Sequence, residues 1–193
     1  MVKNAVNTKW NTIRYLQDPQ KTKVPRNYKL VARSTNGNTL HASLWNGNKQ
    51  AANINIRLEQ NINTIMANFE GQTNPNYRGR NLATLLRGLV TKALLMSGVN
   101  RITHYGINVN NIAAKALAKK KGISIEKAKV NKNFAPLSTR IVRKLGYAPN
   151  NNVYYMTPTM NMTKLNNIVK KIAAAISIQR AYRKRLAARR TSS

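Results

Sequence analysis

The residues best suited to chemistry gather in one short stretch. Asn74-Pro75-Asn76-Tyr77-Arg78-Gly79-Arg80-Asn81 runs straight into Leu82-Ala83-Thr84-Leu85-Leu86, so small, backbone-exposing residues separate an expected strand from an apolar helix. Successive amide N–H groups aimed along a helix N-terminus make an anion site suited to a pyrophosphate, and Arg78 and Arg80 add charge to it. An ordinary strand-to-helix loop with a basic surface explains the same residues equally well on physical grounds alone. The chain has only four carboxylates, Asp18, Glu59, Glu70 and Glu126. Glu59 and Glu70 fall near the loop, and Glu70, at the end of the strand entering it, is the better placed general base. Both are expected to be drawn to neighbouring cations, which weakens a carboxylate as a base. Zero cysteines exclude disulfides, thiol nucleophiles and thiolate zinc, and the two histidines, His41 and His104, do not make a metal site by themselves. His104 falls in mid-strand and reads as a core residue.

The elements that must hold this loop can be read from periodicity. Val6, Trp10, Ile13 and Leu16 predict a short amphipathic helix before Pro19 and Pro25. Residues 28–34, 39–45, 52–59 and 64–69 alternate in part, and Asn36-Gly37 and Asn46-Gly47 between them predict type I′ hairpins in an antiparallel meander. After the loop, Leu82, Leu85, Leu86, Leu89, Val90, Ala93 and Leu94 form one apolar stripe closed by Gly98. A strand over 101–109, a helix over 111–121, a polar connection, a helix over 137–145 ending at Gly146 and a strand over 153–160 follow. A long helix from about residue 162 to 190 closes the chain, with Leu165, Val169, Ile172 and Ile176 as its seam. The fold class is a mixed α/β sheet, largely an antiparallel meander followed by helix-strand-helix-strand, in three parts: 1–27, 28–160 and 161–193.

The loop resembles the acetyl-CoA loop of the GNAT acetyltransferase superfamily, whose pattern is Arg/Gln-x-x-Gly-x-Gly/Ala before a leucine-rich helix. Arg78, Asn81 and Ala83 fall on its three defining positions, with Asn81 in place of the usual glycine. Asparagine is the residue after glycine that best tolerates a left-handed backbone. A second stretch, Ser138 to Tyr147 ending in Lys144-Leu145-Gly146-Tyr147, resembles the family's late helix. The order of elements over residues 28 to 160 agrees, apart from an insertion over 110–135 and an unclear first strand. The resemblance implies a GNAT-like fold, N-acetyl transfer from acetyl-CoA, and a cofactor site at Tyr77, Arg78, Gly79, Arg80, Asn81, Leu82, Ala83 and Thr84. It also implies a tyrosine acid four residues before the late-helix glycine, where this chain has Val142. Tyr147, ahead of Tyr154 and Tyr155, is the candidate to replace it, with Glu70 as base. Val142, Asn81 and the scarcity of carboxylates favour the alternative, a non-catalytic member of that fold.

Charge sets the partners. With 34 Lys+Arg against four acids the net charge is +30, far beyond what solubility requires. A nucleic acid or another polyanion is the expected partner, and cationic acceptors such as histone tails, polyamines and aminoglycosides would be repelled. Residues 127–193 hold 15 Lys+Arg and no acid. Lys170, Lys171, Arg180, Arg183, Lys184, Arg185, Arg189 and Arg190 are the candidate phosphate contacts on the last helix, whose final turns are expected to project. The stretch from Ile178 to Arg189 resembles an IQ motif through Ile178, Gln179 and Arg183, with Lys184 in place of the common glycine, which implies a calmodulin-like partner. The 28 scattered asparagines and the low acid content resemble virion proteins of large DNA viruses. No run reaches the length of a membrane span and no apolar leader is evident, so the expectation is an intracellular, non-secreted protein, associated with nucleic acid or a virion.

Overall fold

The computed structural model describes residues 4–62, 64–104, 111–130, 137–150, 153–159 and 162–191. Helix α1 (Ala5–Gln17) starts at Asn4, whose side chain accepts from the Val6 amide at 2.7 Å. Strands β1 (Lys29–Ser34), β2 (Thr39–Asn46), β3 (Lys49–Asn61) and β4 (Thr64–Thr73) form the expected antiparallel meander. Alternation puts Leu40, Ala42, Leu44, Ile54, Ile56, Leu58, Ile65, Ala67 and Phe69 on one buried face. Helices α1 and α2 (Leu82–Met96) pack on that face. The hairpins fall where expected, but neither Asn36 nor Asn46 has positive φ, so the turns are not type I′. Within the two hairpins Gly37 and Gly47 take the left-handed backbone, at φ +58° and +56°, and the second hairpin turns on Gly47-Asn48 between paired Asn46 and Lys49.

Beyond α2 come β5 (Arg101–His104), α3 (Asn111–Lys121), α4 (Ile125–Val130), α5 (Leu137–Lys144), β6 (Ala148–Asn150), β7 (Val153–Met156) and α6 (Met162–Thr191). The sheet order is β1-β2-β3-β4-β5-β7-β6, with β4–β5 parallel and every other pair antiparallel. This mixed α/β architecture, with its meander, its helix-strand-helix-strand continuation and its long C-terminal helix, has the GNAT-like order expected. Two elements went unread in the sequence. Helix α4 occupies the supposed polar connection, and β6 is a three-residue strand too short to carry a pattern. Residues 105–109 of the expected fifth strand lie outside the described residues.

A single core cluster includes Ala5, Ile13 and Leu16 of α1 and Leu165, Val169, Ile172 and Ile176 of α6. The seam of α6 therefore belongs to the core, and its exposed, arginine-bearing part begins after Ile176. Helix α6 lies close on α2 at Gly88, where an added Cβ would stand 2.6 Å from Val169 Cγ2. No helix among the described residues is long and apolar enough to cross a membrane.

Candidate anion-binding cleft

The site begins as a fork in the sheet. Strand β4 stays paired with β3 from Asn61↔Thr64 to Ala52↔Thr73, but with β5 only over Met66↔Arg101, Ala67↔Ile102 and Asn68↔Thr103. From Phe69 to Thr73 the edge of β4 turned away from β3 has no strand partner among the described residues. Alternate amides on such an edge are free to donate.

At the end of that edge the chain turns into α2. Asn74 fixes the turn from both sides: its Oδ1 accepts from the Asn76 amide at 3.0 Å and its Nδ2 donates to the Gln50 carbonyl at 3.2 Å. Gly79 at φ +74° and Asn81 at φ +57° then reverse the backbone. Asn81, the one non-glycine with positive φ among the described residues, caps α2 without a side-chain hydrogen bond. The amides of Leu82, Ala83 and Thr84 precede the first intrahelical bond, Leu85 N–H to the Asn81 carbonyl at 2.9 Å, and no protein acceptor meets them among the described residues. Unpaired amides and the positive end of a helix dipole together attract an anion.

A cleft of about 910 Å³ opens at this end. Its walls are residues 49–54 of β3 and its approach, residues 71–75, Arg78, Ala83, Leu86 and Arg87, with Ile141 of α5 above. Lys49, Arg78 and Arg87 bring three positive charges, and no carboxylate lines it. Gly71 keeps the wall thin, since a Cβ there would lie 3.0 Å from the Asn53 carbonyl. Among the predicted cofactor residues, Arg78 and Ala83 line the cleft. Leu82 and Thr84 are buried and offer amides alone, Gly79 and Asn81 shape the backbone, and Tyr77 is buried. Arg80 departs from expectation. It stacks on the Tyr77 ring at 5.0 Å, donates to the Asn76 carbonyl at 3.2 Å and faces α6 across a separate cavity.

Arg87 was hidden in the leucine stripe. Its guanidinium lies over the Phe69 ring at 5.0 Å, and burial pulls its pKa below the usual arginine value, although a guanidinium stays charged at neutral pH. Thr84, Arg87 and Thr91 are buried polar residues at helical spacing, a second stripe that the sequence did carry. The stripe ends at Tyr147, whose hydroxyl sits 2.7 Å from Thr91 Oγ1. Burial pushes the Tyr147 phenol up to about 12, partly opposed by the charge of Arg87 and the bond to Thr91. Tyr147 is thus a core residue that does not line the cleft, and the acid role expected of it fails on burial, occupation of its hydroxyl and a raised pKa. Val142, at the position where the resemblance implies an acid, is fully buried.

Glu70 is exposed on the face of β4 opposite Phe69, and it does not line the cleft. Asp18 pairs with Lys21 at 3.2 Å and Glu59 lies 3.9 Å from Arg57, but Glu70 has no ion pair among the described residues, contrary to expectation. Two residues earlier on the same face, at the last rung of the fork, Asn68 Oδ1 is buried without a hydrogen-bond partner among the described residues. Along α6, Lys170, Lys171, Arg180, Arg183, Arg185 and Arg189 are exposed. The side chains of Lys184 and Arg190 lie outside the described residues.

No protein-family model matches this chain, and no curated protein sequence matches it. Among solved structures it is similar to an acetyltransferase of the GNAT family from Streptococcus pneumoniae, at 20% identity and TM-score 0.34 over 44% of this chain and 51% of that one. It is similar to the GNAT domain of S. lividans PAT at 12% identity and TM-score 0.38, over 61% of this chain and 58% of that one. A cAMP-binding acyltransferase from Mycobacterium smegmatis matches at 15% identity and TM-score 0.38, over 72% of this chain and 40% of that one. The chain therefore spans between 40% and 58% of the length of these proteins.

Proposed function

We propose that this chain is an acetyl-CoA-dependent N-acetyltransferase associated with a polyanion. The observation that carries the reading is the fork, with the uncapped start of α2 at its mouth: a free β4 edge leads to three amides that lack acceptors. The fit to a pyrophosphate is chemical, because the amides of Leu82, Ala83 and Thr84 and the cation of Arg78 are all donors. When bound, acetyl-CoA supplies a thioester whose acetyl carbon takes an amine as its bond to sulfur breaks. Amides on the free β4 edge donate to the developing oxyanion. Glu70 receives the proton of an amine approaching from its face of β4, and Asn68 Oδ1 accepts a hydrogen bond from the same amine. No tyrosine among the described residues lines the cleft, so the departing sulfur would draw its proton from solvent. An amine carried on an anionic or nucleic-acid-linked acceptor suits the +30 charge. Calorimetry at physiological salt on protein freed of nucleic acid tests this: saturable one-to-one acetyl-CoA binding, weakened in Arg78→Gln, is expected, and no heat at millimolar ligand sinks the reading.

Two other readings each have an observation in their favour. The burial of Val142 and Tyr147 favours a non-catalytic fold relative that serves as a nucleic-acid-binding or virion structural protein. Acetyl-CoA binding without turnover of any amine, combined with salt-dependent oligonucleotide binding, would select it. Ile178, Tyr182 and Leu186 form an exposed apolar stripe at four-residue spacing among the arginines of α6, which favours an IQ-type adaptor for a calmodulin-like partner. Loss of partner binding in Ile178→Asp would support it, and absence of any complex with such a protein would remove it.

A further inference from the structure

We infer that Arg80, Arg180 and Arg183 form a clamp for the phosphodiester backbone of a single nucleic-acid strand, held between α6 and the loop before α2. The inference rests on the polyanion part of the proposed function and is independent of acetyl transfer.

The clamp follows from the register of α6. Its buried seam, Leu165, Val169, Ile172 and Ile176, advances by four, three and four residues. The next positions on that side are Arg180 and Arg183, so arginine takes over where leucine or isoleucine would continue the packing. Both line a cavity of about 240 Å³ together with Asn27, Tyr28 and Arg80. Arg80 is already turned toward α6 by its contacts with Tyr77 and Asn76.

Three arginines thus line one recess, and no carboxylate lines it. Asp18 is paired with Lys21, Glu59 lies beside Arg57, and Glu70 stands on β4. Like charges gathered without a counter-charge repel, and the arrangement becomes favourable when an anion sits between them. The planar fork of arginine matches phosphate oxygens. An isolated phosphate would leave most of the charge unmet, because α6 continues outward with exposed Arg185 and residues 127–193 contain no acid. An extended run of phosphates meets both the recess and the helix beyond it. The recess is too small for a duplex to enter, whereas the backbone of a single strand can follow a positive groove.

The test compares two variants of equal charge change by fluorescence anisotropy with short single-stranded DNA and RNA oligonucleotides over a range of salt. Arg180→Gln/Arg183→Gln removes the clamp, and Lys119→Gln/Lys120→Gln on α3 removes two exposed charges that do not line the cavity. The clamp variant is expected to lose about ten-fold or more in affinity and to flatten the salt dependence by about one to two phosphate contacts, with a much smaller change in the control. Arg80→Gln combined with the clamp variant should cost less than the sum of the separate losses, since all three hold one backbone. Equal losses in clamp and control variants, or strict additivity, overturn the clamp. Stabilisation by inorganic pyrophosphate that the clamp variant loses, and that an oligonucleotide does not compete away from the unaltered protein, also overturns it, in favour of a small-anion site at the recess. If the unaltered protein binds no oligonucleotide at any salt, the polyanion reading itself falls. Circular dichroism melts of each variant establish that the fold is intact.

Discussion

The hydroxyl oxygens of Thr91 and Tyr147 lie 2.7 Å apart inside the core, tying α2 to the segment that leaves α5. Burial holds the Tyr147 phenol neutral to about 12 in the folded chain, against 10.0 for the unperturbed side chain. The folded state therefore keeps this proton more tightly. The associated stability is fully present below about pH 10 and is lost as pH rises toward 12, amounting to roughly 2 to 3 kcal/mol in all. Tyr147→Phe is expected to cost about 1 kcal/mol at neutral pH by leaving Thr91 unpaired, and to abolish this alkaline loss. Urea midpoints at about pH 8 and about pH 11 check it: the unaltered protein should lose about 1 kcal/mol more than the variant over that step. Equal losses would mean that the phenol titrates as if exposed.

Asn81 tests the loop directly, because its φ of +57° is open to asparagine and glycine but strained for a branched side chain. Asn81→Gly is expected to fold with unchanged stability to within about 0.5 kcal/mol and to bind acetyl-CoA at least as well. Asn81→Val should destabilise the protein by about 1 to 2 kcal/mol and weaken acetyl-CoA binding, as read by denaturation and calorimetry. A valine variant with normal stability would show that the turn relaxes without cost.

The loop and the meander were legible in the sequence because each rests on a local signal. Arg78, Asn81 and Ala83 sit at the turn into α2, and alternation marks β1 to β4. What escaped depends on tertiary context. Arg87 and Thr91 sit within a helix whose leucines dominate its pattern, and their polar stripe acquires meaning only when Tyr147 meets it. Arg78 and Arg80 look equivalent two residues apart, yet the left-handed Gly79 between them sends one into the cleft and the other toward α6. Sequence spacing marked the seam of α6 but gave no sign that the seam is core, since an amphipathic helix reads the same whether it covers its own domain or a partner.

That seam fixes where α6 can be cut. A protein ending at residue 177 keeps Leu165, Val169, Ile172 and Ile176, and it should fold cooperatively while losing most oligonucleotide binding. One ending at residue 163 loses all four, each worth about 2 kcal/mol or more when buried, and it should not retain a cooperative melt. Calorimetric melts of the two separate the core half of α6 from its basic half, and a cooperative melt in the shorter protein would contradict the packing.

Gly88 marks the closest approach of the same two helices. A methyl there would meet Val169 Cγ2 at 2.6 Å and Leu145 Cδ2 at 3.1 Å, and valine is too stiff to yield by rotation. Gly88→Ala should therefore cost about 1 to 3 kcal/mol despite its better helix propensity. A urea midpoint equal to that of the unaltered protein would show that α6 shifts freely on α2.

Asn68 separates stability from function most sharply. Its Oδ1 is buried at the last rung of the fork with no partner among the described residues, an arrangement that typically costs about 1 to 3 kcal/mol. A purely structural residue at this position would be apolar, as its neighbours Ala67 and Phe69 are on the other face. Asn68→Leu is thus expected to raise stability by about 1 kcal/mol, because it removes the unpaired acceptor and adds apolar contact. If the carbonyl orients an incoming amine, the same change should raise KM for the acceptor without altering acetyl-CoA affinity. Asn68→Asp should instead favour cationic amines and lower stability. Denaturation, calorimetry with acetyl-CoA and a thiol-release assay over a panel of amines measure the three effects separately. A leucine variant that is more stable and fully active would remove Asn68 from the acceptor site and leave Glu70 as the one polar group of the fork with a part in the reaction.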